Sequence, residues 1–126
     1  MPAHEVTRED WPGFFDELSR KRQGALVSVS EVDPSTEPVL EIKSLPLVGI
    51  AFDEKGSERN SIEIMAGTEP NDHVTHVIES PREVFHKTGR GILSSELNEE
   101  EIVEITASGH PPITYIRFLP GVIPAD

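Results

Sequence analysis

Residues 25–44 read ALVSVSEVDPSTEPVLEIKS, and this stretch decides the fold. Val27 and Val29 alternate with Ser28 and Ser30 before the turn-forming sequence DPST, and the alternation resumes in VLEIKS. A period of two residues is typical of a half-buried β-strand, and clusters of Asp, Pro, Ser and Thr end strands. The stretch therefore predicts two short strands joined by a turn.

Strand signals recur up to residue 119 without a crossover helix between them, and turn-forming residues separate them at short intervals. The predicted strands are residues 25–32, 39–44, 45–52, 62–66, 73–79, 100–107 and 113–119, of which the last two should pair antiparallel. Residues 92–97 are a candidate short strand, and Gly89, Arg90 and Gly91 are predicted to form a flexible hairpin tip. This pattern predicts a mainly β (α+β) fold, in which six or seven antiparallel strands form a small barrel or a strongly bent sheet.

An apolar run, LPLVGIAF, occupies residues 45–52. Pro46 has no backbone N–H to donate to a neighbouring strand. The run is therefore either a bend between strands or an edge strand with a bulge. If part of it stays on the surface, Leu45, Leu47 and Ile50 mark an interface for strand addition or dimerisation. The alternative, which we favour, is that the run is the central strand of the core.

One amphipathic helix is predicted before the strands, over about residues 8–23. Thr7 is a candidate N-cap because Asp10 follows three residues later, which is close to a capping box. The regular part of the helix should begin near Trp11, and Gly24 suits its C-terminal end. The apolar stripe that should dock on the core consists of Trp11, Phe14, Phe15 and Leu18.

The composition is that of an acidic chain without cysteine. Its 126 residues suit a single domain with one core, and residues 120–126 are predicted to be a loose tail. Asp and Glu number 23 against 11 Lys and Arg, which gives a net charge of −12. Such a charge repels phosphate backbones, so direct nucleic-acid binding is not expected. Three explanations of the acidity stay open: solubility, a basic protein partner or nucleic-acid mimicry, and adaptation to a salty cytoplasm.

The chain carries no signal for export or for membrane insertion. Its first ten residues lack the apolar core of an export signal. No later run approaches the roughly 20 apolar residues of a membrane span. The absence of cysteine excludes disulfides and thiolate metal sites. A cytoplasmic protein without membrane contact is therefore expected.

The histidines come closest to a chemical motif. His73 and His76 would share a face on a helix, where they could bind a transition metal, but on a strand they point to opposite faces. The strand prediction therefore argues against a metal site, and no catalytic residue or cofactor is predicted. His76, His86 and Arg90 are kept as candidate interaction residues.

Three short motifs stand out along the chain. They are WP with FF behind it at residues 11–15, LPLVGI at residues 45–50, and HVI at residues 76–78 with Pro81 after it. With these motifs the chain resembles, from about Val6 to Phe118, an uncharacterised family of small bacterial and archaeal proteins known only as a domain of unknown function. The resemblance implies a shared fold and a prokaryotic source. It implies no catalytic residue, cofactor or substrate for this chain.

The sequence therefore predicts a non-catalytic binding module for a protein partner or for a second copy of itself. Two alternatives stay open. A small hydrolase or isomerase would show a pocket at the barrel mouth where His76 or His86 converges with carboxylates. An acidic inhibitor or nucleic-acid mimic that binds a basic protein would show two rows of carboxylates at phosphate-like spacing on one face.

Overall fold

The computed structural model describes residues 3–53, 60–68, 73–90, 99–109 and 111–118. This part of the chain consists of β1 (Ala3–Val6), a 3₁₀ turn (Arg8–Asp10), α1 (Trp11–Lys21), β2 (Leu26–Val32), β3 (Val39–Asp53), β4 (Ser61–Ala66), β5 (Val74–Glu79), β6 (Pro81–Arg90), β7 (Glu99–Ala107) and β8 (Ile113–Phe118). The strands form one antiparallel sheet in the order β1-β6-β7-β8-β2-β3-β4-β5. The prediction of a mainly β, antiparallel fold is confirmed, as is the pairing of the last two strands.

Strand β3 contains the bend in the sheet. Its first half, up to Pro46, pairs with β2, and its second half, from Leu47, pairs with β4. Both pairings contain register shifts, and Ser44 adopts a positive φ of 52°. The Pro46 carbonyl accepts a hydrogen bond from the Gly67 N–H at 2.9 Å. Of the two alternatives at Pro46, the structure therefore shows the bend, and it lies in a central strand.

The sheet curls strongly enough for distant strands to meet. Strands β2 and β5 are three strand spacings apart, which is about 14 Å in a flat sheet. The Nδ1 atom of His76 on β5 nevertheless lies 3.8 Å from a carboxylate oxygen of Glu31 on β2. Within the described residues the sheet is open, with β1 and β5 as its edges. Of the two predicted forms, the structure shows the strongly bent sheet.

Helix α1 packs on the bent sheet and closes the core. It begins at Trp11, after the 3₁₀ turn, and Gly24 behind it has a positive φ of 86°. The Ser19 hydroxyl oxygen accepts a hydrogen bond from the Ile50 N–H at 2.9 Å, which fixes the helix to β3. The predicted apolar stripe docks on the core, with three residues buried and the last half-buried: Trp11, Phe15, Leu18 and Phe14.

Residues 39–44 and 45–52, predicted as two strands, form the single strand β3, and β6 is absent from the predicted strands. The described part of the chain thus has eight strands where six or seven were expected. Strand β1 is also missing from the sequence prediction. Its four residues, AHEV, are too few for a period of two to be recognised. Strand β1 is held by β6, far along the chain, with His4 opposite His86.

The predicted hairpin tip is wrong at Gly89 and Arg90. Both residues lie in β6, where they pair with Glu100 and Glu99 of β7. The loop-forming character of Gly is overridden here by pairing along a long hairpin. The other predictions for this region and for the tail fall outside the described residues: Gly91, residues 92–97 and residues 120–126.

Gly109 lies where a side chain would collide with the backbone. A Cβ atom there would be 2.6 Å from the Glu79 carbonyl oxygen, whereas a Cβ on Gly13 in α1 meets no atom within 4 Å. We expect Gly109→Ala to lower the free energy of unfolding by about 2 kcal/mol. The matched variant Gly13→Ala should raise it by about 0.5 kcal/mol. Urea unfolding measures the change in each variant. Equal changes in the free energy of unfolding would contradict the predicted collision at Gly109.

Thr114 places a hydroxyl in the core of the sheet. Its side chain is fully buried on β8, and its Oγ1 has no partner among the described residues. Valine has the same shape without the polar atom and favours strands. We therefore expect Thr114→Val to raise the free energy of unfolding by about 1 kcal/mol. If Thr114→Val is instead less stable in thermal and urea unfolding, the Thr114 hydroxyl has a hydrogen-bond partner in the folded protein.

Candidate functional site

A cleft of about 610 Å³ lies between α1 and the strands β1, β6 and β7. We call it the helix-side cleft. Val6, Phe14 and Leu18 give it an apolar wall, and His86 and Glu101 line it from the sheet. A concave site of this size with an apolar lining and a few polar groups is typical of ligand pockets.

Glu101 is the buried charge of this cleft, with only 4% of its side chain exposed. Its Oε1 atom accepts hydrogen bonds from Arg22, whose Nε and Nη2 atoms both lie 2.6 Å away. Its Oε2 atom lies 2.6 Å from Nε2 of His86. An ionised carboxylate only accepts hydrogen bonds, so the proton of this contact is on Nε2. With this proton on Nε2, a singly protonated ring has its acceptor on Nδ1.

Two opposing effects set the pKa of Glu101. Burial raises this pKa, but the hydrogen bond from His86 and the charge and hydrogen bond of Arg22 together lower it below 4.5. Glu101 is therefore ionised at neutral pH. Both of its partners also contact aromatic rings, since Arg22 lies over Phe118 at 5.7 Å and His86 packs edge-on against Phe14 at 5.1 Å.

The register of the sheet brings these groups together. His86 on β6 lies opposite His4 on β1 and opposite Val103 on β7. Glu101 is two residues before Val103, so both point to the same face of β7. Because Val103 is fully buried, this is the core face of the sheet. His4, His86 and Glu101 therefore share that face beside the helix.

The rim of the helix-side cleft is acidic. Glu9, Asp10 and Glu17 are exposed there, and Lys21 is the one lysine among the described lining residues. The charge of Glu101 is matched by Arg22. Three exposed carboxylates against one ammonium group leave the rim with an excess of two negative charges.

A second polar group lies elsewhere, between β2, β3 and β5. One possible ligand atom from each of Glu31, Glu41 and His76 lies within 4.8 Å of the other two. His76 is buried, with 7% of its surface exposed, whereas Glu41 is exposed. His73 is exposed and precedes β5, so the two neighbouring histidines do not share a site, as the strand prediction expected.

The predicted interaction residues fall into different environments. Leu47 and Ile50 are in the core, with 1% and 5% of their surface exposed, which is the alternative that the sequence favoured. Leu45 is partly buried against the same core. Arg90 lies at the end of β6. The apolar run of β3 therefore offers little surface to a partner.

His86 lines the helix-side cleft, but its partners Glu101 and Arg22 were not predicted as functional residues. In the sequence, Arg22 lies near the end of the predicted helix, where a cation complements the helix dipole, and Glu101 belongs to the acidic run EEE at residues 99–101. A signal for Glu101 was present, because it is in phase with the apolar residues Val103 and Ile105. A carboxylate at an inward position of a strand needs a partner.

The described part of the chain contains no helix that is long and apolar enough to cross a membrane. An uncharacterized protein from Aquifex aeolicus (strain VF5) is 25% identical over 85 residues, which are 68% of this chain and 70% of the Aquifex protein. No solved structure matches the chain significantly. The model of a family of unknown function (DUF5335) matches residues 2–110. This match confirms the resemblance to an uncharacterised family, and the chain therefore belongs to the DUF5335 family.

Proposed function

We propose that the chain is a non-catalytic binding module, and that its helix-side cleft binds a basic segment of a protein partner. The observation that carries this proposal is the combination of an apolar wall and an acidic rim in one cleft. The family itself has no known function, so the support comes from the chemistry of this site.

The cleft suits the side chain of lysine or arginine. Both side chains have an aliphatic stem that packs on apolar surface and a charged head that stays near water. The stem would pack on Phe14 and Leu18, and the head would reach the exposed carboxylates of Glu9 and Glu17. A single partner segment can therefore use both parts of the site.

The charge of the whole chain favours a basic partner. A net charge of −12 attracts cationic proteins over distance and raises their association rate. The same charge repels a second copy of the chain. Of the two partners that the sequence predicted, the acidic rim thus favours a different protein over self-association.

The buried Glu101 network supports binding rather than catalysis. Both carboxylate oxygens of Glu101 are already occupied, by Arg22 and by His86. These contacts tie β6 and β7 to the end of α1, so the wall of the cleft is held in place before a ligand arrives. A preformed site loses less conformational entropy on binding.

A fluorescent hexalysine peptide tests the acidic rim. We expect the double variant Glu9→Gln/Glu17→Gln to bind it about 5- to 30-fold more weakly, since exposed charge pairs contribute up to about 1 kcal/mol each. The matched control Glu37→Gln/Glu79→Gln removes two exposed carboxylates outside the cleft. It should change the affinity less than about twofold. Equal losses of affinity in both variants would mean that the peptide responds only to the net charge of the chain, and this would overturn the proposal.

A small hydrolase is the second candidate, and one observation favours it. The contact between His86 and Glu101 orients an imidazole beside a pocket, which is how a general base is held. Under this candidate, hydrolysis of p-nitrophenyl acetate would be lost in His86→Gln and kept in His73→Gln, which removes an exposed histidine. Equal rates in the two variants would exclude it.

A further inference from the structure

We propose that Glu31, Glu41 and His76 form a binding site for a divalent transition-metal ion such as Zn²⁺. The site lies between β2, β3 and β5, and its residues do not line the helix-side cleft. The inference is therefore independent of the proposed function.

The ligand atoms are placed at nearly the right separations. Two ligands of one tetrahedral zinc ion lie about 3.4 Å apart, because each bond is about 2.1 Å long. Nδ1 of His76 and a carboxylate oxygen of Glu31 are 3.8 Å apart, and the oxygen of Glu41 completes a set within 4.8 Å. Because Glu41 is exposed, its side chain has room to rotate toward the other two ligand atoms.

The separation is also too long for a direct hydrogen bond between the buried His76 and the partly buried Glu31. At 3.8 Å the His76 and Glu31 atoms exceed the range of a hydrogen bond. A cation between them would contact both atoms at once. It would also relieve the repulsion between Glu31 and Glu41, which lie close together in a chain of net charge −12.

A β-bulge in β3 directs the Glu41 side chain into this site. Ser30 of β2 pairs with Leu40 and Val29 pairs with Ile42, so Glu41 is the extra residue of β3 at this point. Bulges re-aim side chains in this way. The curl of the sheet then brings His76 across from β5, so three strands that are not all neighbours contribute one ligand each.

The mixed ligand set selects the class of ion. Magnesium and calcium prefer oxygen ligands throughout. One imidazole and two carboxylates suit zinc and its first-row neighbours. Three protein ligands leave a coordination position for water. The ion can enter from solvent on the side of Glu41, because that residue is exposed while His76 is buried.

Equilibrium dialysis against zinc chloride, with excess magnesium present, tests the site on the whole chain. We expect one zinc ion per chain, and a loss of affinity of at least about tenfold in Glu31→Gln and in Glu41→Gln. The matched control Glu37→Gln removes an exposed carboxylate from the segment between β2 and β3, and it should change the affinity less than about twofold.

Two further readouts locate the ion. The variant His4→Gln/His73→Gln removes exposed histidines that can bind zinc at the surface and should keep the site. Cobalt bound in place of zinc should broaden the NMR signals of the His76 ring. The proposal is overturned if no zinc is retained, if all three glutamate variants bind equally, if the histidine double variant loses the ion, or if cobalt leaves His76 unchanged.

Discussion

We expect Trp11→Ala to lower the free energy of unfolding by about 4 kcal/mol, which is the usual cost of emptying a large aromatic site in a core. Trp11 is 1% exposed at the first turn of α1. Its indole N–H donates to the Val6 carbonyl at 2.8 Å, and its ring packs edge-on against Phe52 at 5.1 Å. The side chain thus joins β1, α1 and β3. Urea unfolding measures the loss.

Two variants separate the contributions of Trp11. Trp11→Phe keeps most of the ring but leaves the buried Val6 carbonyl without its donor, so it should cost about 2 kcal/mol. Phe14→Ala removes a half-buried ring and should cost less than Trp11→Ala. If Trp11→Ala loses no more stability than Phe14→Ala, Trp11 does not anchor the helix as described.

We expect Glu101→Ala to lower the free energy of unfolding by about 3 kcal/mol, because it leaves the partly buried Arg22 guanidinium and the Nε2–H group of His86 without their acceptor. Arg22 and His86 keep 29% and 24% of their side chains exposed, so water compensates them in part. The matched control is Glu104→Ala, whose carboxylate pairs with Lys87 at 3.3 Å. It should cost less than about 1 kcal/mol. Equal losses would contradict the special role of Glu101.

The stabilisation by Glu101 should also depend on pH. Its pKa in the folded state lies below 4.5, because the hydrogen bond from His86 and the charge of Arg22 outweigh burial. A group with a lowered folded pKa contributes fully above its unfolded pKa, and the contribution is lost as the pH falls through the folded value. The difference in unfolding free energy between wild type and Glu101→Gln should therefore shrink below pH 4.5. A difference that grows there would contradict the assignment.

Local patterns predicted the parts of the fold that depend on neighbouring residues. The stripe from Trp11 to Leu18 gave the helix and its buried face. The alternation in residues 73–79 placed His73 and His76 apart, as the structure shows. Pro46 marked the position of the bend, because a residue without an N–H interrupts a ladder.

The rest depends on contacts between residues that are far apart in the chain. Strand β1 exists because β6 pairs with it, and its own four residues carry no signal. The network of Arg22, His86 and Glu101 joins the end of a helix to two strands, and this requires the strand order. The same is true of Glu31, Glu41 and His76, which only the curl of the sheet brings together.

Backbone NMR during a titration with the hexalysine peptide shows directly whether the helix-side cleft is the binding site for a basic segment. Binding in the cleft should produce saturable shifts in two segments, Gly13 to Lys21 of α1 and Val84 to Lys87 of β6. The signals of β5, on the opposite edge of the sheet, should stay in place. Shifts centred on β5, or spread evenly over the acidic surface, would contradict binding in the cleft.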